Sequence, residues 1–147
     1  MPALDDYGRP LYDHPPALDE TGLVAFLATQ PDIVAAYLFG SLAQGRAAAH
    51  SDIDIAVLLT GDPDPQLCTD RQLQLMGDLR VFADGELGIV VLNSASLTTQ
   101  YQVLRSGRRL CESDRGTRVE FEVRVGKYYA DLQESWAYLA QELKPEG

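Results

Sequence analysis

Two aspartates, Asp52 and Asp54, stand inside the otherwise apolar run "SDIDIAVLL" at 51–59. A strand points successive side chains to opposite faces, so the two carboxylates share one face, about 7 Å apart, while Ile53 and Ile55 enter the core. Two like charges side by side repel. Half-burying them is costly unless a cation compensates. Mg²⁺ is a fitting cation, because it takes oxygen ligands and keeps substrate phosphates in its shell. Alone, an Asp-x-Asp pair equally describes a solvated strand end.

A second feature, eleven residues upstream of Asp52, narrows the choice. Gly40-Ser41 closes one apolar run, "PDIVAAYLF" at 31–39, and opens a short helical turn to about Gly45. Glycine permits close backbone approach, and the N–H groups that follow it form an anion site. Ser41 adds a hydroxyl donor. A capping serine at a strand-to-helix turn is the plainer account of this pair. A phosphate cradle beside a metal pair, however, meets at a Mg²⁺-bound nucleotide triphosphate.

These residues need elements to hold them. "LDETGLVAFLATQ" (18–30) reads as a helix with Asp19 as N-cap and Gly22 as its weak point. Strands are expected at 31–39, 52–59, 87–93 and 108–112. Helices are expected at 66–83, in "SLTTQYQVLRSG" with Ser94 or Ser96 as cap, and from about 114 to 143, with Val125 and Gly126 the softest positions of the last. "TGDPDP" (60–65) is a turn cluster. Alternating helices and strands with crossovers of unequal length predict a mixed β-sheet with packed helices, of the α/β (α+β) class. Residues 1–17 are expected as a loosely ordered lead-in and 18–147 as a single domain.

Bulk properties exclude several functions. The chain has 147 residues, enough for one real core, and 46% of them are apolar. No run is long enough to span a membrane, and the acidic start "MPALDDYGRP" is not a secretory signal. Cys68 and Cys111 form no CxxC pair, so buried or half-buried thiols in a reducing cytoplasm are expected. Net charge is −10, from 12 basic and 22 acidic residues. The densest basic stretch, "RSGRR" at 105–109, is too short for a nucleic-acid patch. Direct nucleic-acid binding is therefore not expected, whereas a basic protein partner is electrostatically favoured.

"GSLAQGRAAAHSDIDIAVLL" resembles the Gly-Ser-x-x-x-Gly … Ser-Asp-x-Asp motif of the DNA polymerase β-like nucleotidyltransferases, and in particular the minimal nucleotidyltransferases (MNT proteins). The resemblance runs on through "GIVVLNSASLTTQYQVLRSGRRLCESD" and covers roughly residues 18–115. It implies the nucleotidyltransferase fold with a long C-terminal helix. It also implies that Gly40 and Ser41 hold the triphosphate, that Asp52 and Asp54 are the catalytic metal ligands, and that Mg²⁺ and ATP bind together. Many members carry a basic residue at the position of Gln44; Arg46 lies nearby. His14 and His50 stand alone in loops and read as solvated.

The resemblance further implies an antitoxin of a toxin–antitoxin system. Its partner would be an all-helical HEPN ribonuclease toxin, neutralised by binding and by AMP transfer from ATP to a toxin tyrosine (AMPylation). One departure bears on the chemistry. The family strand typically reads apolar-Asp-apolar-apolar-apolar-Leu-Asn, and here it is "LGIVVLN", with Gly88 in the aspartate's place. By the resemblance, that third carboxylate ligates the second metal and helps to deprotonate the attacking hydroxyl. Glu86 shares the face of Gly88, and an exposed turn residue is its plainer description. A binding-only antitoxin with an impaired site is thus a second reading. A small-molecule nucleotidyltransferase is a third, for which the chain is short of an acceptor-binding domain. Tyr128, Tyr129, Trp136 and Tyr138 on the last helix suit either a partner-binding face or core packing. Glu120, Glu122, Asp131 and Glu134 read as a solvated acidic face.

Overall fold

The computed structural model of the chain describes residues 17–40, 43 and 52–143. Its centre is a four-stranded sheet in the order β5-β3-β2-β6. The strands are β2 (Ile33–Phe39), β3 (Ile53–Leu59), β5 (Leu87–Val91) and β6 (Arg108–Glu112). β2 runs antiparallel to both β3 and β6, and β3 runs parallel to β5. The sheet is mixed, as the unequal crossovers require. A second, two-residue pairing joins β1 (Ala17–Leu18) to β4 (Ala83–Asp84). Nothing in the hydrophobic pattern marks it, because two residues are too few to show a period. Of the lead-in expected for residues 1–17, all but Ala17, which opens β1, lies outside the described residues.

Among the described residues four helices cover the sheet: α1 (Glu20–Ala28), α2 (Pro65–Leu79), α3 (Leu97–Ser106) and α4 (Arg115–Glu142). Each is opened by a side-chain cap that satisfies an orphan N–H. Asp19 accepts from Gly22 N at 3.1 Å, Asp64 from Leu67 N at 2.8 Å, Ser96 from Thr99 N at 3.2 Å and Asp114 from Thr117 N at 3.1 Å. The cap of α3 is therefore Ser96 and not Ser94. Gly107 closes α3 for reasons of space rather than of backbone hand: a Cβ there would sit 2.4 Å from the Val103 carbonyl oxygen. α2 stops at Leu79, short of the expected 83, where a single 3₁₀ turn (Arg80–Phe82) leads into β4.

The core divides into two layers by strand alternation. On one face Leu23 and Leu27 of α1 and Cys68, Leu75 and Leu79 of α2 pack on Leu38, Ile53, Ile55 and Val57. On the other, Val103 of α3 and Phe121 and Val125 of α4 pack on Tyr37, Ala56 and Leu58. Cys68 is buried and Cys111 half-buried, and both are free thiols. No helix among the described residues is long and apolar enough to cross a membrane.

α4 is continuous over 28 residues, with no break at Val125 or Gly126. The space around Gly126 is open, so the glycine costs only propensity, about 1 kcal/mol. Docking of α4 is polar as well as apolar. Arg118, buried, donates to Glu112 of β6 and, at 2.7 Å, to Glu122 one turn on. Tyr37 of β2 donates to the other Glu122 oxygen at 2.8 Å. Glu122 is thus a partnered, half-buried group, which corrects its place in a solvated acidic face. Glu120, Asp131 and Glu134 are exposed as expected.

Candidate functional site

Ile53 and Ile55 are fully buried on the α1/α2 face. Alternation then turns Asp54 to the opposite face, on the side of Ala56 and Leu58. Asp54 is half-buried, whereas Asp52 is exposed and stands one residue before β3 rather than within it. Asp54 has two sheet neighbours. Phe39, the last residue of β2, pairs with it on one side and Gly88 of β5 on the other.

Both flanking positions that lack a side chain do so where Asp54 needs room. Gly40 has a φ of +78°, in the left-handed region. A Cβ there would lie 2.5 Å from Asp54 Oδ2. At Gly88 a Cβ would meet Asp54 Oδ1 at 3.1 Å, and nothing else within 4 Å. The carboxylate of Asp54 therefore fills a slot between two glycines at one end of the sheet. Gly40 and Asp54 are brought together as expected. Ser41, Gln44, Arg46, His14 and His50 lie outside the described residues.

Electrostatics marks the same spot. Burial, and then the neighbouring charge of Asp52, raise the Asp54 pKa above the ordinary carboxylate value. Among the described residues no donor is hydrogen-bonded to either aspartate, and no cation is paired with them. No group of three or more His, Cys, Asp or Glu residues there could hold a metal ion. Two carboxylates nonetheless fit Mg²⁺, which is commonly held by one or two carboxylates and completed by substrate phosphates and water. A half-buried carboxylate with no partner among the described residues, beside a second one, is the donor chemistry that suits such an ion.

Position 88, where the resemblance implies a third carboxylate, is glycine. Asp54 and Gly88 are direct partners across parallel strands. Glu86 precedes β5, is exposed, and uses its carbonyl to accept from Ile53 N at 2.7 Å. Its place at the mouth of the strand agrees with an exposed turn residue.

Of Tyr128, Tyr129, Trp136 and Tyr138 on α4, only Tyr129 finds an aromatic partner among the described residues, stacking on Tyr101 of α3 with centroids 3.7 Å apart and planes within 6°. Tyr128, Trp136 and Tyr138 are exposed. The tyrosine stack was not legible in the sequence, since it needs the relative placement of two helices.

The profile of the polymerase β nucleotidyltransferase family matches residues 22–116. A protein adenylyltransferase, MntA, of Shewanella oneidensis is 32% identical over 117 residues, which span 79% of this chain and 81% of that protein. Among solved structures, a toxin–antitoxin crystal structure with AMP-PNP superposes with a TM-score of 0.66 at 29% identity, over 86% of this chain and 98% of the other. The complex of tri-AMPylated Shewanella oneidensis HEPN toxin with MNT antitoxin gives 0.59 at 26% identity, over 85% and 95% of the two chains.

Proposed function

The chain belongs to the polymerase β nucleotidyltransferase family and is homologous to the MntA protein adenylyltransferase antitoxin; from that premise we propose that it is an MNT-type antitoxin. It binds a HEPN ribonuclease toxin and transfers AMP from ATP to a toxin tyrosine. The observation that carries this reading is the slot at Asp54. A half-buried carboxylate lacks a described partner, lies beside Asp52, and abuts a glycine with a positive φ at the end of the neighbouring strand. The acidic balance of −10 suits a basic ribonuclease partner. The similarity to complexes with a HEPN toxin supports the same partner class.

The roles follow from chemistry. Asp52 and Asp54 would hold Mg²⁺, which when bound neutralises negative charge on the triphosphate. The turn at Gly40, with the Ser41 hydroxyl next in sequence, would orient the phosphates through N–H and O–H donors. The tyrosine oxygen attacks the α-phosphorus and forms a new P–O bond. The bond from that phosphorus to its bridging oxygen breaks, and pyrophosphate leaves. The tyrosine proton must go to a base, and position 88 supplies none, so it passes to solvent. Gly88 thus favours a second reading, in which the fold, the nucleotide site and toxin binding persist while transfer is slow.

Incubation with labelled ATP, Mg²⁺ and the HEPN protein encoded with it distinguishes these. AMP on a toxin tyrosine by mass spectrometry supports transfer, and its loss in Asp54→Asn assigns it to this site. A tight complex with no label supports binding alone. The absence of both complex and label would contradict the antitoxin reading.

A further inference from the structure

α4 changes character along its length. Arg118, Phe121 and Val125 lie on one face of it and are buried against the sheet and α3. Helical spacing continues that face through Tyr129, Leu132, Trp136, Leu139 and Leu143, in steps of four, three, four, three and four residues from Val125. Beyond the stack on Tyr101 the cover thins, with Leu132 still half-buried. Past Tyr129, Trp136 is 63% exposed, Leu139 47% and Leu143 81%. The alternation of three and four is the pattern of a helix–helix seam. At the root of the stripe lies a pocket of about 520 Å³, at the opposite end of β3 from Asp54 and lined by Leu58, Gln100, Phe121, Arg124, Val125 and Tyr128. Stripe and pocket are continuous through Tyr128.

Charge selects the occupant. Between Lys127 and Lys144 the helix carries three acidic residues, Asp131, Glu134 and Glu142, and no basic one. A second copy of this chain would bring an acidic flank, and a net charge of −10, against its own kind. We propose that the second half of α4, with the pocket at its root, docks a helix of the HEPN partner, one whose apolar face is flanked by Lys and Arg. This rests on the antitoxin reading above and adds a docking surface, the second half of α4 with the pocket at the end of β3 opposite Asp54, built from residues that the nucleotide site does not use.

The test is titration calorimetry of the partner into the full chain. The variants are Trp136→Ser with Leu139→Ser, Asp131→Lys with Glu142→Lys, and Leu73→Ser as a control on the exposed face of α2. Trp136 is a typical anchor, so the serine pair is expected to weaken binding at least about tenfold. Circular dichroism and Mg²⁺-dependent ATP binding should stay at parent values. The lysine pair should weaken binding and flatten its salt dependence, and Leu73→Ser should bind like the parent. A parent that binds and a serine pair that binds equally well would overturn the docking face while leaving the antitoxin reading intact. A parent dimer that the serine pair dissolves, by analytical ultracentrifugation, would also overturn it, since a second copy would then cover the stripe. A parent that binds no HEPN protein overturns both.

Discussion

Two acidic clusters lie on the same face of this sheet and are treated in opposite ways. Glu112 and Glu122 receive the guanidinium of Arg118, and Glu122 also receives the hydroxyl of Tyr37. Burial and the bond to Glu122 raise the Tyr37 pKa, so its proton stays in place. Asp52 and Asp54 have neither cation nor donor among the described residues, and Asp54 is held more easily protonated by burial. Carboxylates that come with their own cation hold helices in place. Carboxylates that come without one keep their oxygens free for a ligand and bear the desolvation cost meanwhile. The contrast separates structural charge from functional charge more sharply than burial alone, because Glu122 and Asp54 are both half-buried.

The largest effect is expected from supplying what the functional cluster lacks. Gly88→Asp places a carboxylate across the strands from Asp54 and should raise AMP transfer by about 10²–10⁴-fold, the usual contribution of a general base. The same change should lower the melting temperature without Mg²⁺, because a third like charge is added with only 3.1 Å between its Cβ and Asp54 Oδ1. Transfer unchanged in Gly88→Asp but abolished in Glu86→Gln would instead give the third position to Glu86.

Removing the cation from the structural cluster comes next. Arg118→Met should cost about 3 kcal/mol in denaturant unfolding, toward the low end for breaking a buried pair, since both glutamates keep some exposure. It should leave ATP binding intact in the fraction that folds. Gly40→Ala should cost about 1–3 kcal/mol, because alanine at a φ of +78° is strained and its Cβ would collide with Asp54. Smallest is the exposed bridge between Arg108 and Glu20. Glu20→Gln should change stability by less than about 1 kcal/mol, and less still in high salt.

Much of this was legible before the fold was known, for local reasons. Asp19 caps the helix it precedes, Ile53 and Ile55 alternate into the core with Asp54 on the other face, and Gly40 ends a strand where only glycine is comfortable. Each of these follows from a few neighbouring residues. Glu122 was misplaced because its partner Tyr37 is 85 residues away. The β1–β4 pairing was missed because two-residue strands carry no period. The aromatic residues of α4 were ambiguous because one helical stripe passes from buried to exposed. The stripe is largely apolar in both halves, and its last contact with α3, at Tyr101, is a tertiary feature.

The central claim is that Asp52 and Asp54 lack a cation among the described residues because a metal–nucleotide complex supplies one. Calorimetric titration of ATP, with and without Mg²⁺, into the parent, Asp52→Asn and Asp54→Asn tests it most directly. The account predicts parent binding that weakens strongly without Mg²⁺. Both variants should bind weakly whether or not Mg²⁺ is present, and Asp54→Asn should melt no lower than the parent. Equal, Mg²⁺-dependent affinity in all three proteins would contradict it and would move the site off this strand.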